Sequence, residues 1–193
     1  YHTLFPLAIQ SYIKFSYPID VWWGKVFNGG AKGQEVGEAN DKLNVQANTG
    51  SLLGRFPHRL DPKRRITIPA SFRNRMGNPD YVYVMPDLTR LNCLNIFAPA
   101  EIESRLDQLR AAALTDKRTS DFVTWVGSVS ETLDVDTQGR IRIGDKLLSR
   151  VGVQRDLLLL GAFNRVQVWA QDQAPAEEDA FEKFADAAKD FGF

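Results

Sequence analysis

Beyond residue 50, apolar and polar positions along the chain follow two rhythms. Apolar residues, many of them β-branched, form short runs at Ile66–Ile68, Tyr81–Met85, Leu94–Phe97, Val129–Val135, Ile141–Ile143, Leu157–Leu160 and Val166–Trp169. Runs of this length and composition, bounded by turn residues, predict strands. Helical periods lie between them. Pro69 suits the first turn of a short helix over Ala70–Met76, which Gly77 ends. Pro99 opens a second helix that sets Ile102, Leu106, Leu109 and Ala113 on one face, and a third lies around Ser120–Gly127. A fourth is predicted over Asp145–Val151 with Asp145 as its cap. In the tail, Phe181, Phe184, Ala188 and Phe191 stand at roughly helical spacing over Glu177–Phe191, with acidic residues at the start, where a helix dipole favours them.

The pattern occurs twice. Leu60-Asp61-Pro62-Lys63-Arg64-Arg65-Ile66-Thr67-Ile68 and Val135-Asp136-Thr137-Gln138-Gly139-Arg140-Ile141-Arg142-Ile143 share the frame apolar-Asp-x-x-x-Arg-Ile-x-Ile at an offset of 75 residues. A second match, Asn92–Ala98 with Asn164–Ala170, stands at an offset of 72 residues. An internal repeat sets architecture before any single residue does. Two copies are too few for a solenoid, so the expected arrangement is two related units paired around a pseudo-two-fold axis. The fold class is α+β, mainly β. The helices between the copies have the simplest role of bridging them.

The first fifty residues differ from the rest. Leu4–Trp23 is apolar and aromatic, but Pro6, Lys14, Pro18 and Asp20 break it too often for a membrane span or a secretory signal. Asn28–Gly50 is rich in Gly, Asn and Gln and reads as linker or disorder. Residues 1–50 are therefore expected to be an extension outside the functional domain. The domain itself is read as a first unit with bridging helices over 51–127, a second unit over 128–171 and an acidic helical tail over 172–193.

At 193 residues the chain can hold one good core or two small units sharing one. Its formal net charge is zero, but the charge is segregated: residues 51–170 carry an excess of bases and residues 171–193 an excess of acids. Between Gly54 and Arg75, the bases Arg55, Arg59, Lys63, Arg64, Arg65, Arg73 and Arg75 face Asp61 alone. Such a stripe attracts polyanions, and nucleic acid is the commonest in a cell; otherwise it is a solvated basic face. Enzyme chemistry has little material. Cys93, the one cysteine, sits in an apolar run and reads as a core residue, and His2 and His58 are the only histidines. Gly30-x-x-Gly33 near Lys32 lacks phosphate-loop spacing. Neither a metal-ligand cluster nor a nucleophile–base pair is evident, and no cofactor is expected.

In the repeated element, Asp61 or Asp136 can accept hydrogen bonds from the amides of the turn that follows, holding a tight loop. The arginine then enters the next strand with its direction set. Its guanidinium can pair with the aspartate or reach outward. Around Arg140 the acids Asp134, Asp136 and Asp145 favour the pair; around Arg65 the neighbouring Lys63 and Arg64 favour contact with an anion.

These residues carry a family resemblance. The frame Gly54…Leu60-Asp61-x-Lys63-x-Arg65-Ile66-x-Ile68-Pro69, with Asp136-x-x-Gly139-Arg140 and Gly161-x-x-Asn164-x-x-x-x-Trp169, resembles the MraZ family over roughly residues 51–171. The resemblance implies two tandem AbrB-like swapped-hairpin units closing a pseudo-two-fold barrel. It implies a bacterial transcriptional regulator, cytoplasmic and nucleoid-associated, acting on the promoter of the division and cell-wall gene cluster that contains its own gene. The implied partners are double-stranded DNA with repeated short boxes and further copies of the chain in a ring, with no membrane or small-molecule substrate. By motif position the DNA-binding residues are Lys63, Arg64, Arg65 and Arg73, with Arg140 in the second copy, while Asp61 and Asp136 are structural. Arg64 stands where the family has glycine, so a left-handed backbone there would be strained. The alternative is an AbrB-type, antitoxin-like protein-interaction module, docking through Phe181, Phe184, Phe191 and Phe193.

Overall fold

The computed structural model describes residues 50–89 and 92–176, with Lys189 and Gly192. They belong to one compact unit, Asn44–Phe193. The expectations for residues 1–49 and for a helix over Glu177–Phe191 lie outside the described residues.

The first copy contributes β1 (Arg55–Arg59), β2 (Arg65–Thr67), α1 (Ala70–Arg75), β3 (Tyr81–Pro86) and β4 (Cys93–Phe97). Two longer helices follow, α2 (Pro99–Ala113) and α3 (Lys117–Ser128). The second copy repeats the order as β5 (Glu131–Asp134), β6 (Arg140–Arg142), α4 (Asp145–Arg150), β7 (Asp156–Gly161) and β8 (Val166–Ala170). Each predicted strand and helix among the described residues is present within a few residues of its expected ends. Strand β1 was not expected, because Pro57 and three basic or titratable side chains obscure its alternation. It is a sheet edge, where a proline costs no ladder bond. Asp145 does not cap α4: Gly144 holds the cap position, and the Asp145 carboxylate is turned to Arg64.

The two copies exchange strands. A six-stranded antiparallel sheet runs β1-β7-β8-β4-β3-β5, and β2 pairs with β6 in a separate two-stranded ribbon. His58 faces Leu157 across β1–β7, and Leu133 faces Val82 across β5–β3, the same pairing with the copies reversed. Ile66 faces Ile141, and Asn95 faces Gln167. These pairs join equivalent positions, so the pseudo-two-fold axis passes between them.

The expected barrel does not close. Side chains, in place of backbone ladders, join the sheet edges to the ribbon side of the molecule. The Thr67 amide donates to His58 Nε2 at 3.1 Å, and the Gly144 amide donates to Glu131 Oε2 at 3.0 Å. The main core fills the space between. Ile66, Ile68, Ile141, Ile143, Phe72 and Leu148 pack against Val82, Leu94, Ile96, Leu157, Leu159 and Val168. Each such side chain contributes about 1.5–3 kcal/mol by leaving water. The Phe56 ring meets Phe72 edge-on at 4.9 Å. Cys93 is buried on the other side of the sheet with Leu158 and Trp169.

That outer side carries a second apolar cluster, where Met85 and Phe97 pack with Ile102 of α2. Glu103 of α2 accepts from the Tyr81 hydroxyl at 2.6 Å, and this bond pushes the Tyr81 pKa up to about 12. Helix α3 starts at a side-chain cap, Asp116 accepting from the Thr119 amide at 2.7 Å. Among the described residues, no helix is long and apolar enough to cross a membrane.

Candidate nucleic-acid interface

Both repeated loops have one construction. Asp61 Oδ1 accepts from the amides of Lys63 and Arg65, each at 2.8 Å, while Oδ2 accepts from Arg65 Nε at 2.7 Å. A second guanidinium nitrogen of Arg65, Nη2, also lies 2.7 Å from Oδ2. Asp136 does the same for Gln138 and Arg140, with amide bonds of 2.9 Å and an Arg140 Nε bond of 2.7 Å. One carboxylate thus satisfies two turn amides and fixes the arginine that leads into the strand. The Arg65 amide, then its guanidinium, hold the Asp61 pKa below its ordinary value; the Arg140 amide and guanidinium do so for Asp136. In both copies the arginine is paired with its aspartate.

The turn tips differ. The fourth loop residue is left-handed in both copies, with φ of 60° at Arg64 and 75° at Gly139. Only glycine adopts that geometry without steric cost, so Arg64 is strained and Gly139 is not. The Arg64 side chain crosses to the second copy, pairing with Asp145 at 2.9 Å and donating to the Gln154 carbonyl at 2.8 Å. Gly139 is itself buried, covered by the Arg73 guanidinium from α1 of the first copy. Arg73 Nε is buried there without a hydrogen-bond partner among the described residues. Lys63 is exposed at the first tip.

Beyond the loops, the ribbon has two faces. Ile66 and Ile141 point into the core, both almost fully buried. Side chains alternate along a strand, so Arg65, Thr67, Arg140 and Arg142 share the outward face. Arg65 stands directly opposite Arg142, and Thr67 opposite Arg140. The motif residues therefore meet on one surface: Lys63, Arg64, Arg65 and Arg140 lie at the ribbon and its turns, and Arg73 sits beside the second turn. Arg142 belongs to the same surface and was not singled out from sequence. The signal was available, since Arg140-Ile141-Arg142 alternates around a core isoleucine. Elsewhere in the basic stripe, Arg59 pairs with Asp156 at 2.6 Å and Arg75 donates to the Ser51 carbonyl at 2.9 Å. Among the described residues no His, Cys, Asp or Glu cluster could hold a metal ion. The phenylalanines of the alternative docking tail lie outside the described residues.

Fold and loops together define a two-copy, strand-exchanged α+β protein with a cationic outer ribbon. No family model matches the chain. Curated relatives do. The transcriptional regulator MraZ of Symbiobacterium thermophilum is 32% identical over 142 residues, covering 73% of this chain and 100% of the relative. That of Syntrophomonas wolfei is 31% identical over 145 residues, covering 73% and 99%. That of Alkaliphilus metalliredigens is 30% identical over 122 residues, covering 63% and 82%. The chain belongs to the MraZ family.

Proposed function

We propose that this chain is a DNA-binding transcriptional regulator whose contact surface is the β2–β6 ribbon and its two turns. The observation that carries the reading is the gathering of Lys63, Arg64, Arg65, Arg73, Arg140 and Arg142 on one side of a fixed backbone. Its relatives are named transcriptional regulators. Lys63, at an exposed tip, neutralises a phosphate and releases counterions, which makes affinity fall with salt. Asp61 and Asp136 set Arg65 and Arg140 in direction before DNA arrives, so little conformational freedom is lost on binding. Arg64 and Arg73 brace the turns and add to the positive field.

The finer reading follows the family. The two copies are AbrB-like units over 51–127 and 128–171, flanked by an N-terminal extension and an acidic tail. Subunits assemble in a ring, so several ribbons engage repeated boxes at once and weak single contacts add through effective concentration. The target is the promoter of the division and cell-wall cluster upstream of the chain's own gene, in the cytoplasm at the nucleoid. No step involves covalent chemistry.

The test is gel-shift binding of the full chain to the DNA directly upstream of its own gene, across a salt series. Preferential, salt-sensitive binding that Arg65→Ala loses is the expected result. Equal affinity for upstream and random DNA would overturn the promoter reading. Unchanged promoter affinity in Arg65→Ala would overturn the site.

A further inference from the structure

The cations on the ribbon surface are not equivalent, because most already have an acid. Arg65 is tied to Asp61, Arg140 to Asp136 and Arg64 to Asp145. Arg73 is folded over Gly139. Arg142 is exposed, and among the described residues it makes no ion pair or side-chain hydrogen bond. Its backbone is nonetheless fixed, paired with Arg65 across the ribbon and backed by the fully buried Ile143. Lys63 is also exposed, but it rides on a turn and ends in a single ammonium.

Resting on the reading of this chain as a DNA-binding regulator, we propose that Arg142 is a further residue of this surface that reads a base. A planar guanidinium with its fork unspent can bond guanine O6 and N7 together, which a lysine does as a point charge and a clamped arginine does less freely. The scaffold suits the task. A two-stranded antiparallel ribbon, its strands about 5 Å apart, can enter a major groove about 12 Å wide. The outward face of this one places Arg142 at one end of the ladder, with the charge-neutralised Arg65 directly across and the Thr67–Arg140 pair at the other end. Lys63, at the turn, meets the backbone and carries no sequence information.

The repeat sharpens the assignment. Arg142 corresponds to Thr67 in the first copy. Thr67 is outward and opposite Arg140, and its short side chain offers a methyl and a hydroxyl to a base edge. The two halves of the ribbon therefore present different chemistry, and the face reads an asymmetric box, not a palindrome.

The experiment uses the full chain and two duplexes of equal length, the DNA upstream of its own gene and a shuffled version, over a salt series. Arg142→Lys keeps the charge and loses the fork. It is expected to lower the ratio of specific to non-specific affinity by roughly fivefold or more with the salt slope unchanged. Lys63→Gln is expected to weaken both duplexes equally and flatten the slope by about one unit. An unchanged melting temperature for both variants shows that the fold is intact. If Arg142→Lys keeps the wild-type ratio while the wild type prefers the upstream duplex, Arg142 is not a reader. If the wild type shows no preference, the regulator reading itself fails and the assignment falls with it.

Discussion

Gly139→Ala tests whether the second turn depends on a left-handed residue. At a φ of 75°, an alanine is strained by about 1–2 kcal/mol, offset by about 0.5–1 kcal/mol because alanine loses less backbone freedom on folding. The added Cβ would run into the Arg73 guanidinium, whose Nε is already buried without a partner among the described residues, so that side chain must move as well. Together these give a net loss of about 1–2 kcal/mol, or a melting temperature lower by roughly 2–8 °C for a chain of this size. Arg64→Gly is the mirror experiment. It relieves the strain at φ 60° but removes the pair to Asp145 and the bond to the Gln154 carbonyl. Those side chains are 42% and 62% exposed, so the pair is worth about 0–1 kcal/mol, and the net change stays within about 1 kcal/mol. Thermal melts of the full chain followed by circular dichroism read both. Repeating Gly139→Ala in an Arg73→Ala background separates clash from strain. A Gly139→Ala variant that melts with the wild type would refute the reasoning.

Three further outcomes follow from the same geometry. Asp61 and Asp136 have depressed pKa values, so their stabilising share is complete above 3.8 and is lost as pH falls below that value; Asp61→Asn with Asp136→Asn should flatten the acid limb of a melting-temperature profile there. Burial lowers the His58 pKa, so the neutral ring's share is complete above 6.5 and declines as pH falls from 6.5 towards the folded value. His58→Gln keeps an acceptor for the Thr67 amide and should show a smaller drop in melting temperature from neutral to mildly acid pH. Phe72→Ala empties a fully buried site against Phe56 and should cost about 3–5 kcal/mol, a melting temperature lower by roughly 6–20 °C; a drop of a degree or two would mean that α1 does not seal the core.

Much of this fold is written locally. Ile66, Ile141 and the runs at β3, β4, β7 and β8 declare themselves because a half-buried strand must alternate or stay apolar. Pro99 and the spacing of Ile102 and Leu109 mark α2 for the same kind of reason. The Asp–Arg loops were legible because a carboxylate bonding its own turn needs only neighbours in sequence. Other features were not. Repetition implied that the copies pair, but not that β1 joins β7 and β5 joins β3. The contacts of Arg64 with Asp145 and of Arg73 with Gly139 bridge the copies, so they depend on that exchange and leave no local trace. Closure of a barrel was overestimated because His58 and Glu131 meet backbone donors with side chains, a substitution no periodicity records.

Strand exchange within a single polypeptide also has a consequence for inheritance. When two identical chains trade strands, every mutation is made in both halves at once, and a change that suits one turn must be endured by the other. Here each half has its own codons. His58 stands against Leu133, Arg73 against Leu148, Arg64 against Gly139 and Thr67 against Arg142. Symmetry is kept where the core and the loops require it, at Ile66 and Ile141 and at the two aspartates. Elsewhere the halves are free to diverge, one residue at a time.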